Sequence, residues 1–297
     1  MSKPILHNNC ILCGSSSLKN IFGDNHFVTK CNSCSFVFSR KIATNEEILE
    51  YYSIYPIADK ISELTIQRYN EILDIFEPYR KTGKLLEFGC GEGYFLSEAK
   101  KRNWNVTGIE ISEILIAKCN EKKLVIYDDL SKLPVNEVGQ FDIIVTIEVI
   151  EHLSAPITFV NRFNTFLRQG GGLYMTTPNF NCLLRYFLGK RWNNIIFPEH
   201  LCYYTSSTMK KMLASCGFKE NFTRTTGISL ARYKYALLNW KKKKNDIPIL
   251  YDYNENDRKI REKIENKYLL TILKNCLNMF FDLTKLGESL KIFYIKK

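Results

Sequence analysis

The stretch Leu85-Leu86-Glu87-Phe88-Gly89-Cys90-Gly91-Glu92-Gly93-Tyr94-Phe95-Leu96 decides how the rest of the 297-residue chain is read. Two apolar residues lead into an acid and a phenylalanine. Three glycines follow at every second position, and an amphipathic segment then runs from Tyr94 to Asn103. That order predicts a strand, a tight turn and a helix. Glycine is required where the backbone turns sharply, or where a ligand lies against the chain with no room for a Cβ. The free N–H groups and positive dipole end of the following helix suit an electron-rich or anionic ligand. A dinucleotide fingerprint places its third glycine three residues after the second. Here that position is Tyr94, and Gly93 comes one residue early, so the spacing is Glu-x-Gly-x-Gly-x-Gly.

The pattern continues downstream. Asn105 to Ile109 reads as a second strand that ends in Glu110, and a carboxylate at such a tip can accept hydrogen bonds from a ribose diol. Ser112 is placed to cap a helix through Lys122. Leu124 to Tyr127 is a third strand, followed by Asp128-Asp129-Leu130. Phe141 to Ile147 is almost continuously apolar, as a central parallel strand buried on both faces should be. It runs into Glu148-Val149-Ile150-Glu151-His152-Leu153. A helix from Pro156 to Arg168 is expected to end at Gln169-Gly170-Gly171-Gly172, with a fifth strand over Leu173–Thr176. Strands alternating with helices predict an α/β fold, a parallel sheet wound on both faces. Ligands then sit at the carboxyl ends of the strands, where the strand order reverses. Glu87, Gly89, Gly91, Gly93, Glu110, Asp129 and the Thr146–Glu148 segment all fall at such ends.

On the Glu-x-Gly-x-Gly-x-Gly loop and these strand-tip acids, the sequence resembles the class I S-adenosylmethionine (SAM)-dependent methyltransferases, from residue 60 to about 230 and over the final strand. The resemblance implies a doubly wound, seven-stranded, mostly parallel, Rossmann-like sheet with SAM as cofactor. It implies that Asp129, rather than Asp128, meets the adenine amino group. The Glu-x-x-Glu-His pattern at Glu148, Glu151 and His152 is common in methyltransferases of small molecules and sugars, as is Thr176-Thr177-Pro178-Asn179. The segment after the fourth strand is Thr146-Ile147-Glu148-Val149. It is not the Asn/Asp-Pro-Pro-Tyr of enzymes that methylate adenine or glutamine nitrogen, and no Pro-Cys nucleophile follows for cytosine carbon.

Ahead of this core, Cys10-x-x-Cys13 is followed after 17 residues by Cys31-x-x-Cys34. Thiolates two residues apart can grip one ion from a tight knuckle, and two knuckles complete a tetrahedron. Four sulfurs leave no open coordination position, so the expected Zn2+ is structural, and a segment with few large apolar residues needs it to fold. The domains expected are therefore 1–40, a zinc ribbon; 41–80, a linker and helices covering the cofactor; and 81–297, the methyltransferase domain. Within the linker a short helix is expected from Thr44 to Tyr52, then a longer one over 60–79. Tyr51, Tyr52 and Tyr55 are candidates to line a substrate cleft.

The substrate side begins with an aromatic and basic insertion, Asn181 to Phe197, and then Pro198-Glu199-His200-Leu201-Cys202-Tyr203-Tyr204-Thr205. A similar Glu-His-x-x-Tyr/Phe segment occurs in sugar C-methyltransferases that also carry a four-cysteine zinc module. By that resemblance Glu199 and His200 are the acid/base candidates. Those enzymes have a further C-terminal domain for which this chain has no room, so the layout is also similar to methyltransferases of surface polysaccharide, glycolipid and natural-product synthesis and to quinone O-methyltransferases. Chemically, SAM carries an activated methyl group, so the protein chiefly aligns donor and acceptor. A hydroxyl acceptor must also lose a proton, which suits a histidine. His152 and His200 both compete for that role.

Net charge is +11, and 16 Lys+Arg against 8 Asp+Glu after residue 230 place +8 of it in the last 67 residues. A basic tail points to an anionic partner or to solubility. Beside the Lys241–Lys244 run, the apolar residues of Tyr268 to Leu286 suit a helix lying on a membrane surface. No run of 18 apolar residues and no signal-peptide core is present, so a cytoplasmic protein is expected, with peripheral contact at the inner membrane face. A final strand, Leu290–Ile295, should run antiparallel near the sheet edge. The function expected is SAM-dependent methylation of a sugar, nucleotide-sugar or other small-molecule or glycan acceptor. The alternatives are a ribosomal RNA base or a quinone at the membrane. Nucleic acid is the less expected partner, because the zinc region lacks aromatics interleaved with basic residues.

Overall fold

The computed structural model describes residues 4–22, 27–44, 47, 61–227 and 268–297, with side chains from 272 onward in the last stretch. Most of the expected 44–52 helix, the tyrosines Tyr51, Tyr52 and Tyr55, and the Lys241–Lys244 run lie outside the described residues.

Apolar runs punctuated by glycine turns build the large sheet. Its strands are β4 (Lys84–Phe88), β5 (Asn105–Ile109), β6 (Val125–Tyr127), β7 (Phe141–Ile147), β8 (Leu167–Pro178), β10 (Phe218–Thr226) and β11 (Ser289–Lys296), and they stand in the order β10-β11-β8-β7-β4-β5-β6. The five from β8 to β6 are parallel, whereas β11 is antiparallel to both its neighbours. This is the seven-stranded, mostly parallel, doubly wound sheet expected from the sequence. β11 sits one place in from the edge, and β10 forms the edge.

Alternate residues feed two cores. Leu85, Ile143, Val145, Tyr174 and Phe293 face one side and pack on Leu73 and Phe76 of the helix Glu63–Phe76. Leu86, Ile144, Leu173, Met175, Ile292 and Tyr294 face the other, against Phe163 of the helix Pro156–Phe166 and Met209 and Met212 of the helix Ser206–Ser215. Strands buried on both faces are mostly apolar, as β7 is, and it is buried along all but its last residue.

Two local expectations differ from the structure. The Gln169–Gly172 run does not close a helix: the Pro156–Phe166 helix ends at Leu167 and the chain passes straight into β8. The glycines serve close packing instead. A Cβ on Gly171 would stand 2.9 Å from the Arg168 carbonyl oxygen, and one on Gly172 would strike the Phe293 ring. Ser112 precedes its helix, Glu113–Glu121, but makes no side-chain cap; the Glu110 carboxylate takes its N–H instead, at 3.0 Å.

The cysteine module forms a second sheet, β1 (Leu18–Asn20), β2 (Val28–Cys31) and β3 (Val37–Ser39), all antiparallel. Its fourth strand, β9 (Cys202–Tyr203), comes from the Glu199–Tyr204 run of the large domain and pairs with β3. Phe36 and Phe38 of the module are fully buried in the core beneath the large sheet, with Phe36 5.3 Å from the Tyr204 ring. On its other side, Val28, Val37 and Tyr203 pack on Phe180, Trp192 and Ile195 of the insertion. Among the described residues, no helix is long and apolar enough to cross a membrane.

Asp142, second residue of β7, is fully buried. One carboxylate oxygen accepts the backbone N–H groups of Lys81, Thr82 and Gly83 at 2.7–2.8 Å, and the other takes the Arg168 guanidinium. Burial raises its pKa, but Arg168 and these N–H groups outweigh that and hold the carboxyl below its ordinary 3.8. A depressed pKa adds stability that is present above the ordinary value and lost as pH falls through the folded one. Asp142→Ala, which leaves Arg168 unpaired, is expected to cost about 3 kcal/mol at pH 7. Urea unfolding at pH 7 and at pH 3 should show the gap between wild type and variant narrowing in acid.

Candidate active site and metal centre

Four of the parallel strands end at one edge, and their tips form a nest. The glycines of the loop after β4 all have positive φ, +74° at Gly89, +54° at Gly91 and +71° at Gly93. Gly93 leads into the helix Tyr94–Lys101. A Cβ on Gly91 would meet nothing within 4 Å, so that backbone faces open space. The loop is held by Glu110: one oxygen accepts Gly91 N–H at 2.8 Å, and the other accepts Ile111 and Ser112 N–H at 2.9 and 3.0 Å. A carboxylate has about four lone-pair positions, so one remains for a ligand hydroxyl.

Glu87 closes β4 with its side chain buried, and its Oε2 has no hydrogen-bond partner. Burial, with Cys119 and Glu110 nearby, pushes its carboxyl well above the ordinary range. The buried Thr146 Oγ1 is likewise unpartnered. Such orphaned groups cost stability and are rare in native proteins. Thr146 lies on the opposite face of the sheet from Glu87. Glu87 leads directly into the glycine loop, so its unpartnered carboxyl oxygen, with the remaining lone pair of Glu110, fits a ligand with hydroxyl and ammonium donors, as SAM has. Glu148 follows β7 with φ +54°, a strained value for a non-glycine residue. Its Oε1 accepts the Thr176 hydroxyl at 2.7 Å, and its N–H donates to Thr176 O at 3.0 Å, so the tip of β7 is fixed to β8. Asp129 stands past β6, half exposed. Its Oδ1 accepts Ser131 N–H at 2.6 Å and lies 3.7 Å from Arg162, so its side chain is turned into its own loop.

Beyond the nest lies a polar wall built from two segments. One is the turn Ile150–His152 after β7, the other the run Glu199–Tyr204. Leu201 N–H donates to Glu151 O at 2.8 Å and joins them. The His152 and His200 rings meet edge to face, 5.0 Å apart. His200 Nδ1 lies 2.8 Å from Asn194 O. A carbonyl only accepts, so Nδ1 carries the proton and Nε2 keeps a lone pair, 4.0 Å from Glu199 Oε1. Burial, and then His152, lower the His200 pKa to about 3, so the ring is neutral at physiological pH. His152 has carbonyls at both nitrogens, Glu199 O at 2.7 Å from Nδ1 and Glu148 O at 3.1 Å from Nε2. Burial lowers its pKa too, against the pull of Glu199. Glu151, which enters the sequence pattern only as a spacing, is 2% exposed, and its Oε2 has no partner.

The cysteine module has the geometry of a metal centre. Sγ atoms of Cys10 and Cys34, and of Cys13 and Cys31, stand 3.6 Å apart, and all four lie within 4.8 Å of one another. A tetrahedron of sulfurs about 2.3 Å from Zn2+ has edges of roughly 3.8 Å. Two matching knuckles position them: Gly14 N–H donates to Cys10 O and Ser35 N–H to Cys31 O. Burial works against ionisation throughout the cluster; N–H groups of Cys34 and Ser33, with Cys13, bring the Cys31 thiol down, while burial keeps Cys10 and Cys34 up, so the four sulfurs do not share one negative charge easily without a cation among them. The residues fit Zn2+. The module also grips the Glu199–Tyr204 run: Ser39 N–H donates to Leu201 O at 2.8 Å, next to the β3–β9 pair.

Glycine nest, strand-tip acids and adjoining polar wall together define a methyltransferase-type site. Residues 60–220 match the family described as "Methyltransferase domain", more than half of the chain, and the chain belongs to that family. Among curated proteins, it is similar to the ubiquinone biosynthesis O-methyltransferases of Pseudomonas aeruginosa (27% identical over 105 residues) and Acinetobacter baylyi (29% over 106). Each match covers 33% of this chain and spans less than half of the relative, 45% and 44%. Among solved structures, it resembles a SAM-dependent methyltransferase from Archaeoglobus fulgidus (TM-score 0.52, 18% identity, 79% of this chain and 94% of that one). It also resembles a sarcosine dimethylglycine methyltransferase-like protein from Galdieria sulphuraria (TM-score 0.50, 14%, 78% and 85%). At those identities the likeness is one of fold.

A buried carboxyl with a raised pKa costs folded-state stability once pH passes its unfolded value, near 4. Glu87→Gln should therefore raise the melting temperature of ligand-free protein at pH 7, but not at pH 4, while weakening SAM binding about tenfold or more. Calorimetry on the same samples checks both. Cys31→Ser should release zinc and speed hydrogen exchange across Glu199–Tyr204, with the β4–β7 pair still protected; equal protection in that segment would separate module from wall.

Proposed function

We propose that this protein transfers the methyl group of SAM to a hydroxyl of a small polyhydroxylated acceptor, a sugar or nucleotide-sugar, in the synthesis of a surface glycan, glycolipid or natural product. The observation that carries the reading is the polar wall beside the nest, in which Glu151 and His200 are buried and His152 and Glu199 partly so. Carboxylates and imidazole nitrogens are acceptors suited to several hydroxyl donors at once. An aromatic quinol ring would be better served by apolar lining.

The transfer itself needs little covalent help. As the acceptor oxygen forms its bond to the methyl carbon, the carbon–sulfur bond breaks and its electron pair stays on sulfur, leaving S-adenosylhomocysteine. SAM supplies the activated methyl group; the chain's residues align the acceptor and take its proton. Glu199 and the neutral His200, 4.0 Å apart, are the groups for that proton. His152, held by two carbonyls, orients the wall.

A second reading, quinol O-methylation at a membrane, is supported by the names of the curated relatives. It is supported also by the helix Tyr268–Thr284, which exposes Leu273, Leu277, Met279, Phe280 and Leu283. Such a face suits contact with lipid. Turnover of labelled SAM against nucleotide-sugars, polyprenyl-linked glycans, quinols and RNA decides between them. The expected winner is a sugar-bearing acceptor, with Glu199→Gln lowering kcat about 100-fold and leaving SAM affinity unchanged. Preference for a quinol or RNA would overturn the sugar reading.

A further inference from the structure

Arg185 belongs to the short helix Leu183–Leu188 of the insertion, and its guanidinium carbon lies 4.3 Å from the Phe180 ring centre and 4.0 Å from that of Tyr186. We propose that this guanidinium anchors a further ligand subsite, beyond the SAM nest and the polar wall, that takes the diphosphate group of the methyl acceptor.

Three observations carry this. First, the cation is held in place but its donors are not used. Phe180 is buried, and the Tyr186 ring is fixed by its hydroxyl, which donates to Asn181 Oδ1 at 2.6 Å; Asn181 Nδ2 in turn donates to Lys285 O at 3.2 Å. Rings attract a guanidinium through its faces and leave the N–H groups in its plane unengaged. Among the described residues the Arg185 side chain has no ion pair and no hydrogen bond, and its Nε is buried. A buried donor left unmade costs stability and is rare, whereas the arginine fork fits a phosphate through two parallel N–H···O bonds. Second, the insertion joins this cation to the wall. The Phe180 ring also meets Trp192 at 5.9 Å and Tyr203 at 5.7 Å. Tyr203 Oη donates to His200 O at 3.1 Å, and Asn194, two residues past Trp192, accepts from His200 Nδ1. One aromatic cluster thus carries Arg185 on one flank and His200 on another. Third, the insertion is of one charge sign. Arg185, Lys190 and Arg191 stand between Asn181 and Phe197, and that stretch has no Asp or Glu.

The wall and the insertion divide the recognition of one molecule. Glu151 and Glu199 repel a phosphate and attract hydroxyls; the insertion does the opposite. A ligand with hydroxyls at one end and an anionic group at the other matches that order. No bond is made or broken at Arg185. It seats the anionic end, so that the hydroxyl is brought to the wall in a fixed position. The subsite stands on the geometry of the insertion; that its ligand is the methyl acceptor rests on the hydroxyl-acceptor reading above. The diphosphate of a nucleotide-sugar and that of a lipid-linked sugar share the chemistry that Arg185 recognises.

The test is calorimetric titration of inorganic pyrophosphate, UDP and geranyl diphosphate into full-length protein loaded with S-adenosylhomocysteine, with uridine as the uncharged comparison. Each diphosphate is expected to bind saturably, one per chain, and more weakly as salt is added. Arg185→Gln should weaken all three about tenfold or more, and Arg185→Lys should restore only part of the loss, because an ammonium lacks the fork. SAM affinity serves as the folding control, and Lys219→Gln, which removes one charge elsewhere on the surface, should change nothing. Tighter uptake of UDP supports the subsite with a nucleotide as the source of the diphosphate; tighter uptake of geranyl diphosphate supports it with a lipid carrier. No saturable uptake at millimolar diphosphate, UDP no tighter than uridine, or uptake unaltered in Arg185→Gln with SAM binding intact would overturn the subsite. A free sugar methylated as fast as its diphosphate derivative, with KM unchanged in Arg185→Gln, would overturn it too and leave the sugar reading intact. Diphosphate uptake that needs Arg185, with no sugar turned over, would do the reverse.

Discussion

Leu85, Leu86 and Glu87 of β4 pair in parallel with Ile143, Ile144 and Val145 of β7, and the whole candidate site hangs from that register. Parallel strands deliver their carboxyl ends to one edge. The central pair brings Glu87, Thr146 and Glu148 there; β5 adds Glu110. Because both faces of these strands are buried, an acid at a strand tip is desolvated without being enclosed by partners. Glu87 Oε2 and Thr146 Oγ1 are accordingly left without hydrogen-bond partners. Asp142 supports the opposite end of the same strand, where three backbone N–H groups and Arg168 fully engage its carboxylate. One strand therefore carries a satisfied acid at its start and strained, underused polar groups at its end, and the contrast separates anchorage from function.

The polar wall shows how two distant parts of the chain share one electrostatic environment. Ile150–His152 follows β7 directly, whereas Glu199–His200 arrives only after the insertion, and each segment hydrogen-bonds the other's backbone. Burial lowers the pKa of both histidines and raises that of Glu151. The site accordingly favours neutral rings and resists a lone carboxylate charge.

Much of this was legible in the sequence because the signals are local. The alternation of glycines, the acids at strand tips and each Cys-x-x-Cys pair are written within a dozen residues, and the structure sets the glycine loop, Glu87 and Glu110 at the ends of their strands and gathers the four cysteines, while Asp129 turns into its own loop. Features that escaped depend on long-range pairing. β9 is two residues long, too short to carry a period, and becomes a strand only because β3 offers an edge. The glycines at 170–172 resemble a helix stop, yet their purpose is visible only once Phe293 and Asp142 are beside them. Asp142 lies in the almost continuously apolar Phe141–Ile147, and its anchoring role depends on Lys81–Gly83 and Arg168, which stand far from it in sequence. The His200 tautomer is set by Asn194, whose carbonyl no pattern singles out.

The sharing of β9 between the two sheets bears on how the protein is made. The ribbon leaves the ribosome first, and its thiols can gather an ion early. Its β3 edge, however, stays open until the Glu199–Tyr204 run emerges, after five strands of the large sheet have been synthesised. An unpaired edge is a template for wrong partners. The nascent chain therefore has an interval of vulnerability that closes only when the last piece of the polar wall arrives, so maturation of the ribbon and assembly of that wall are a single event.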